Sequence, residues 1–196
     1  MHPPFVLKLG GSLEHSAQAI IDLLLENSPP VLLVPGGGRY ADEVRKAKLP
    51  AEVSHWMAVA AMDMFGWQLS SFGLEVTGSL EIPQGPVIFL PYSTMRQIDP
   101  LPHSWDVTSD TIAAWTAQRL GLGLVVAKSV DGIKDRGKLL HMLRHEVETD
   151  VVDACFIHYV LSHDIDVYVV NGKRPERIRT LLTGGKPPGT VIRATL

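Results

Sequence analysis

The sequence predicts an α/β fold: a mainly parallel sheet with helices on both sides. Three observations lead there. Short β-branched runs alternate with longer helical patterns along the whole chain. The runs are apolar almost throughout, as strands covered on both faces are. Glycine-rich or charged segments follow several runs directly, and in such sheets ligands sit beyond the carboxyl ends of the strands.

Phe5-Val6-Leu7-Lys8-Leu9 reads as the first strand. Ser16 is the expected cap of a helix on which Ile20, Ile21, Leu24 and Leu25 recur at helical spacing, and Pro29-Pro30 stops it. Val31 to Val34 is the second strand, cut off by Pro35-Gly36-Gly37-Gly38. Helices are expected from Tyr40 to Lys48 and from Glu52 to about Phe72, the second with Val53, Met57, Ala60, Ala61 and Met64 on one face. The proline-rich stretch from Thr77 to Pro102 holds one strand, Val87 to Leu90. Thr108 or Ser109 caps a helix through Leu120, and Leu124 to Ala127 is the next buried strand. A helix from about Val151 to Ser162, a strand from Val167 to Val170 and a turn at Asn171-Gly172 follow. A short helix from Pro175 to Leu182 and an edge strand near Thr190 to Arg193 complete the chain.

No repeat and no long linker divides the 196 residues, so a single domain over 1–196 is expected. Hydrophobic residues at 45% and charged residues at 20% match globular averages and argue against disorder. A net charge of −3 disfavours nucleic-acid binding, which calls for many cations against phosphates. Cys155 is the single cysteine, so no internal disulfide forms and a reducing, cytoplasmic setting fits. Met1-His2-Pro3-Pro4-Phe5 lacks a basic start followed by an apolar run, and no stretch is long enough to span a membrane.

Four segments should meet on one rim: Gly10-Gly11-Ser12, Gly36-Gly37-Gly38, Lys128 to Gly132, and Asn171-Gly172-Lys173. Glycines let backbone N–H groups approach an anion, and alternation puts Lys8 on the same side as Gly10. A tight turn beside an edge lysine is the alternative. Gly36 to Gly38 reads either as a second cradle facing the first or as a loop squeezed by packing. Asp110 falls in a first helical turn, where it serves the helix dipole or holds lysine ammonium groups beside phosphates. Asp106, one turn earlier, suits a cationic substrate group at a pocket rim.

Other features are set aside. Gly132 to Lys138 has P-loop spacing, but Leu139 stands where a magnesium-binding Ser or Thr is required. His141 and His145 have no third ligand nearby, so no metal site is assigned. Cys155, among Val152, Phe156 and Val160, reads as core. Lys173, Arg174, Arg177 and Arg179 form a solvated basic run, except that Lys173 follows a strand and can face nucleotide phosphates.

Taken together, Lys8 to Ser12, Pro35 to Gly38, Asp106 to Asp110, Ser129 to Ile133 and Gly189-Thr190 resemble the amino acid kinase family over most of the chain. The resemblance implies a three-layer α/β/α sandwich that binds ATP with Mg²⁺, phosphorylates a small acceptor and self-associates. Pro35 to Arg45, Ser54 to Ala58, Ala61 to Asp63 and Trp105 to Asp110 are similar to a narrower branch acting in methanofuran biosynthesis. Its implied reaction is transfer of the γ-phosphoryl group of ATP to [5-(aminomethyl)furan-3-yl]methyl phosphate, giving the diphosphate. Another small monophosphate acceptor, and a non-catalytic nucleotide-binding or storage protein, are the alternatives.

By the same resemblance Lys8 and Asp110 are catalytic, and Gly10, Gly11 and Ser12 hold ATP phosphates. Ser129, Asp131, Gly132 and Ile133 belong to the nucleotide site, with Lys173 beside it. Gly36, Gly37 and Gly38 meet the acceptor; for a cationic amine on it Asp106, with Asp63, is the best-suited partner, and His55 and Trp56 either line its ring or, on a long helix, serve as core or a subunit contact. Many family members carry a second catalytic lysine where this chain reads Thr149-Asp150-Val151-Val152-Asp153. Lys128 is expected to supply that charge, and to contact ATP, from its strand end.

Overall fold

A computed structural model describes residues 4–27 and 29–193. The targeting expectation falls partly on residues 1–3, outside the described range. The first strand, β1 (Phe5–Leu9), is followed by a 3-10 segment (Gly11–Ser16), α1 (Ala17–Asn27) and β2 (Val31–Pro35). Next come α2 (Gly38–Lys46), α3 (Ala51–Ser70), β3 (Val76–Thr77), β4 (Val87–Phe89) and α4 (Tyr92–Ile98). The middle of the chain forms α5 (Ser109–Leu120), β5 (Gly123–Lys128), β6 (Lys134–Asp135), β7 (Lys138–Leu139) and β8 (Met142–Leu143). It ends with α6 (Phe156–Ser162), β9 (Val167–Asn171), α7 (Pro175–Leu182) and β10 (Gly189–Ile192).

Eight strands form one sheet in the order β3-β4-β2-β1-β5-β9-β10-β8. Within it β10 runs antiparallel to β9, and the other pairings are parallel. β1 lies between β2 and β5, so both its neighbours are buried and its residues are apolar apart from Lys8. Alternation sorts the core into two faces. Val6, Leu32, Val34 and Val126 pack with α5 and α6 on one side; Leu7, Leu9, Leu33 and Val170 pack with α1 and α7 on the other. This is the expected α/β/α sandwich. No helix among the described residues is long and apolar enough to cross a membrane.

Several expectations are corrected. Ser16 ends a 3-10 turn instead of capping α1, and Leu25 is exposed. On α3 the buried residues include His55, Val59, Ala61, Met62, Phe65 and Leu69, whereas Val53, Met57 and Met64 face outward. That helix is apolar nearly all round, so periodicity alone could not choose its face. α6 begins at Phe156, five residues after Val151 where the helix was expected to start. Gly132 to Lys138 becomes part of the β6–β7 hairpin, turning at Arg136 and Gly137, both with positive φ, the pattern of a tight two-residue hairpin turn.

Candidate active site

Lys8 projects from β1 toward α5, on the face that carries Val6. Lys8 pairs in register with Val126 of β5, so Lys128, two residues on, projects from the same face one step nearer the rim. Asp110, in the first turn of α5 and 3% exposed, receives both. Lys8 Nζ lies 2.7 Å from its Oδ1, and Lys128 Nζ donates to its Oδ2 at 2.6 Å. Burial alone would raise the Asp110 pKa, but the two ammonium charges and their hydrogen bonds hold it below the ordinary carboxylate range. Burial, reinforced by Lys8 and opposed by Asp110, pushes the Lys128 ammonium down to about 8. Two cations against one carboxylate leave this cluster with surplus positive charge, the electrostatic demand that a phosphate answers.

The first glycine loop meets this cluster, and the second glycine loop meets the first. The hypothetical Cβ of Gly10 would lie 3.0 Å from Lys8 Nζ, and that of Gly36 would lie 3.0 Å from the Gly11 nitrogen. A Cβ on Gly11 would stand 2.2 Å from the Gly38 Cα. The Gly36 N–H donates to the Leu9 carbonyl at 2.8 Å, tying the second loop to the end of β1. Only bare backbone fits where these loops touch.

Beside the loops lies a cavity of about 390 Å³, with Gly11, Ser12, Gly36, Gly37, Gly38 and His55 in its wall. Sequence reasoning missed five charged or aromatic members of that wall: Glu14, Arg39, Asp42, Arg45 and Trp105. The Arg45 guanidinium sits 4.5 Å from the Trp105 ring centroid. Two arginines in the helical pattern that follows a glycine triplet, Arg39 directly after it and Arg45 six residues further on, were the signal available. Burial, with a contribution from His103, lowers the His55 pKa, so its ring is neutral near pH 7. Its Nε2 is buried and has no hydrogen-bond partner among the described residues.

Asp106 and Asp63 are not in that wall. Asp106 is exposed and makes a turn with Ser104, although its neighbours Trp105 and Val107 do line the cavity. Asp63 Oδ1 accepts the Tyr92 N–H at 3.1 Å, closing the start of α4, and burial lifts its pKa to about 6. Trp56 stands behind His55, 4.8 Å between ring centroids, and carries the Arg96 guanidinium 4.4 Å from its own.

On the other side of Lys128 the remaining predicted segments form a second cluster. Asp131 Oδ1 accepts from Asn171 at 2.8 Å and Arg177 at 2.7 Å, and these bonds, the Asn171 one first, hold its pKa down. The Lys173 N–H donates to Asn171 Oδ1 at 3.0 Å, and the Ile133 N–H donates to Thr190 Oγ1 at 2.9 Å. Gly132 has φ +145° and packs against Thr190, so that position excludes a side chain on two grounds. Lys173 is exposed, and Ser129, next to Lys128 in the chain, is half-buried. Among the described residues no group of three or more His, Cys, Asp and Glu side chains is placed to hold a metal ion.

No family model matches the chain. A curated relative, the [5-(aminomethyl)furan-3-yl]methyl phosphate kinase of Methanocaldococcus jannaschii, is 30% identical over 91% of this chain and 93% of its own length. Among solved structures, the uridylate kinase of Archaeoglobus fulgidus aligns over 98% of this chain and 100% of its own with a TM-score of 0.68 at 20% identity. The UMP kinase of Ureaplasma parvum aligns with a TM-score of 0.74 at 16% identity, over 98% of this chain and 99% of its own. An isopentenyl phosphate kinase aligns with a TM-score of 0.66 at 16% identity, over 97% of this chain and 100% of its own. At these identities the solved structures speak for the fold, and the curated relative speaks for the lineage. The chain belongs to the amino acid kinase family, beside the archaeal aminomethylfuran phosphate kinase.

Proposed function

We propose that the protein transfers the γ-phosphoryl group of ATP to [5-(aminomethyl)furan-3-yl]methyl phosphate, the acceptor named for its curated relative. The observation that carries this reading is the buried Lys8–Asp110–Lys128 cluster beside a pair of touching bare-backbone loops, and those loops in turn line a cavity with charges of both signs. An acceptor oxygen attacks the γ-phosphorus, the β–γ bridging bond breaks, and ADP departs. The acceptor phosphate is already ionised, so no general base and no covalent intermediate are needed. Positioning and neutralisation of crowded oxygens carry the catalysis.

In this reading Lys8 and Lys128 lie against the transferring group and Asp110 aims them. Gly10, Gly11 and Ser12 offer amides and a hydroxyl to the ATP phosphates. Ser129, Asp131, Gly132, Ile133 and Lys173 take the nucleotide side, and Gly36, Gly37 and Gly38 face the acceptor. Arg39 and Arg45 suit the acceptor phosphate, neutral His55 can donate to it, and Trp105 offers a ring face. Glu14 and Asp42, which line the cavity, replace Asp106 and Asp63 as partners for the cationic aminomethyl group. Mg²⁺ would arrive with the nucleotide, where it neutralises phosphate charge. Both Asp110 oxygens are engaged by lysines, so no side chain is assigned to the metal.

Two further parts complete the reading, the first resting on the single cysteine and the second on the family resemblance. The enzyme works in the cytoplasm, where ATP and a free Cys155 thiol both persist. It also self-associates. Val53, Met57, Met64 and Trp67 form an exposed stripe along α3, and a second copy is the partner that reading supplies.

The test is ADP release by purified protein with ATP, Mg²⁺ and a panel of acceptors: the aminomethylfuran phosphate, UMP and isopentenyl phosphate. Turnover is expected on the first. Preference for UMP or isopentenyl phosphate would reassign the acceptor, and no turnover on any would overturn the kinase reading.

A further inference from the structure

Asp110 is aimed by its helix, and that helix begins unusually. Thr108, the residue before α5, does not cap it with its own side chain. The cap comes from a carboxylate 45 residues away in sequence. Asp153 Oδ2 accepts the Thr108 N–H at 2.9 Å, the Thr108 hydroxyl at 2.8 Å and the Thr111 N–H at 3.0 Å. Its Oδ1 accepts the Thr111 hydroxyl at 2.5 Å. Four hydrogen bonds converge on one side chain and favour its ionised form, although burial and the nearby Asp110 charge raise its pKa against them.

The neighbouring backbone is tied to the same place. The Cys155 N–H donates to the Asp106 carbonyl at 3.1 Å, so the loop before α6 is pinned to the loop before α5. Asp110 lies between Thr108 and Thr111 in sequence, inside the turn that Asp153 grips. The negative charge also faces the positive end of the α5 dipole. It reaches Lys128 as well, favouring that ammonium's protonated form.

We propose that Asp153 is a positioning residue for phosphoryl transfer: it fixes the first turn of α5 and thereby the angle at which Asp110 presents Lys8 and Lys128. Among the described residues it makes no hydrogen bond to either lysine, and it acts chiefly through the helix. The inference rests on the kinase reading for its consequence, but its mechanical part stands alone.

Asp153→Asn is the informative change, because it keeps the shape and removes two acceptor lone-pair sites and the charge. We expect kcat to fall about tenfold while the KM values for ATP and acceptor stay within about threefold. In an Asp110→Asn background the same change should cost less than about twofold, because the two residues act along one path. A substrate-free arm measures hydrogen exchange: the amides of Ser109 to Thr111 should exchange about tenfold faster in Asp153→Asn, with β5 unchanged. Thr111→Val, which deletes one donor and leaves the helix packed, should give a smaller loss of kcat in the same pattern.

Unchanged kcat and unchanged exchange in folded Asp153→Asn would overturn the proposal, as would an equal kcat loss in the Asp110→Asn background. Should Asp153→Asn fail to fold, wild-type kcat and exchange in Thr111→Val would overturn it. A wild-type enzyme without phosphoryl transfer would sink the kinase reading, and the exchange arm would still decide the positioning.

Discussion

Lys8 and Lys128 differ in ways that predict different mutant behaviour. Lys8 is the more buried of the pair, with 5% of its side chain exposed against 15% for Lys128. Lys8→Ala should lower kcat by about 100-fold or more, with ATP affinity falling much less, as expected of a charge used mainly in the transition state. Isothermal titration with ATP beside steady-state rates checks the split. Lys128, with its pKa near 8, should give the rate an alkaline limb: activity falls as pH rises through about 8 and the ammonium is lost. Lys128→Arg should move that limb to higher pH, because guanidinium stays charged. The stability sign is opposite. Between about 8 and the ordinary 10.5 the unfolded chain binds a proton that the folded chain has released, so this group's contribution to stability rises with pH there.

At the scale of elements, the meeting of the glycine loops yields a contrast between neighbours. Gly11→Ala would drive a methyl group into the Gly38 backbone, and nothing flexible can yield. Its melting temperature should fall by roughly 4 °C or more. Gly10→Ala meets only the tip of Lys8, so it should spare the melting temperature and cost kcat instead. Thermal denaturation beside turnover separates the two. These loops were legible in the sequence because a glycine cluster directly after an apolar run has few structural uses. Lys8, Asp110 and Lys128 were legible for a related reason: each is a charge beside apolar positions at the end or start of an element. The wall of the cavity was not. Arg39, Asp42 and Arg45 belong to a polar helix whose charges look solvated, and the turn of that helix toward α3 decides which ones line a cavity. Asp153 was hidden for a different reason, since a cap supplied across 45 residues leaves no local pattern. Strands β3, β6, β7 and β8, each two residues long, carry too few positions to show alternation.

Across the whole molecule, the outward stripe on α3 makes a prediction about size. Trp67 is 58% exposed and Met64 53%, an uncommon outlay of large apolar surface for a lone chain. Sedimentation velocity should find an oligomer at micromolar concentration, and Met64→Glu with Trp67→Glu should shift it to the monomer. A wild-type monomer at every concentration would remove self-association from the reading. The sheet order has a temporal consequence too. β1 is made early but sits between β2 and β5, and the Ile133 amide finds its acceptor only at Thr190. Translation delivers these pieces far apart in time. On the proposed nucleotide site, a nascent chain gains its full grip on ATP only after the segment bearing Thr190 has left the ribosome, so ligand stabilisation should set in late in synthesis.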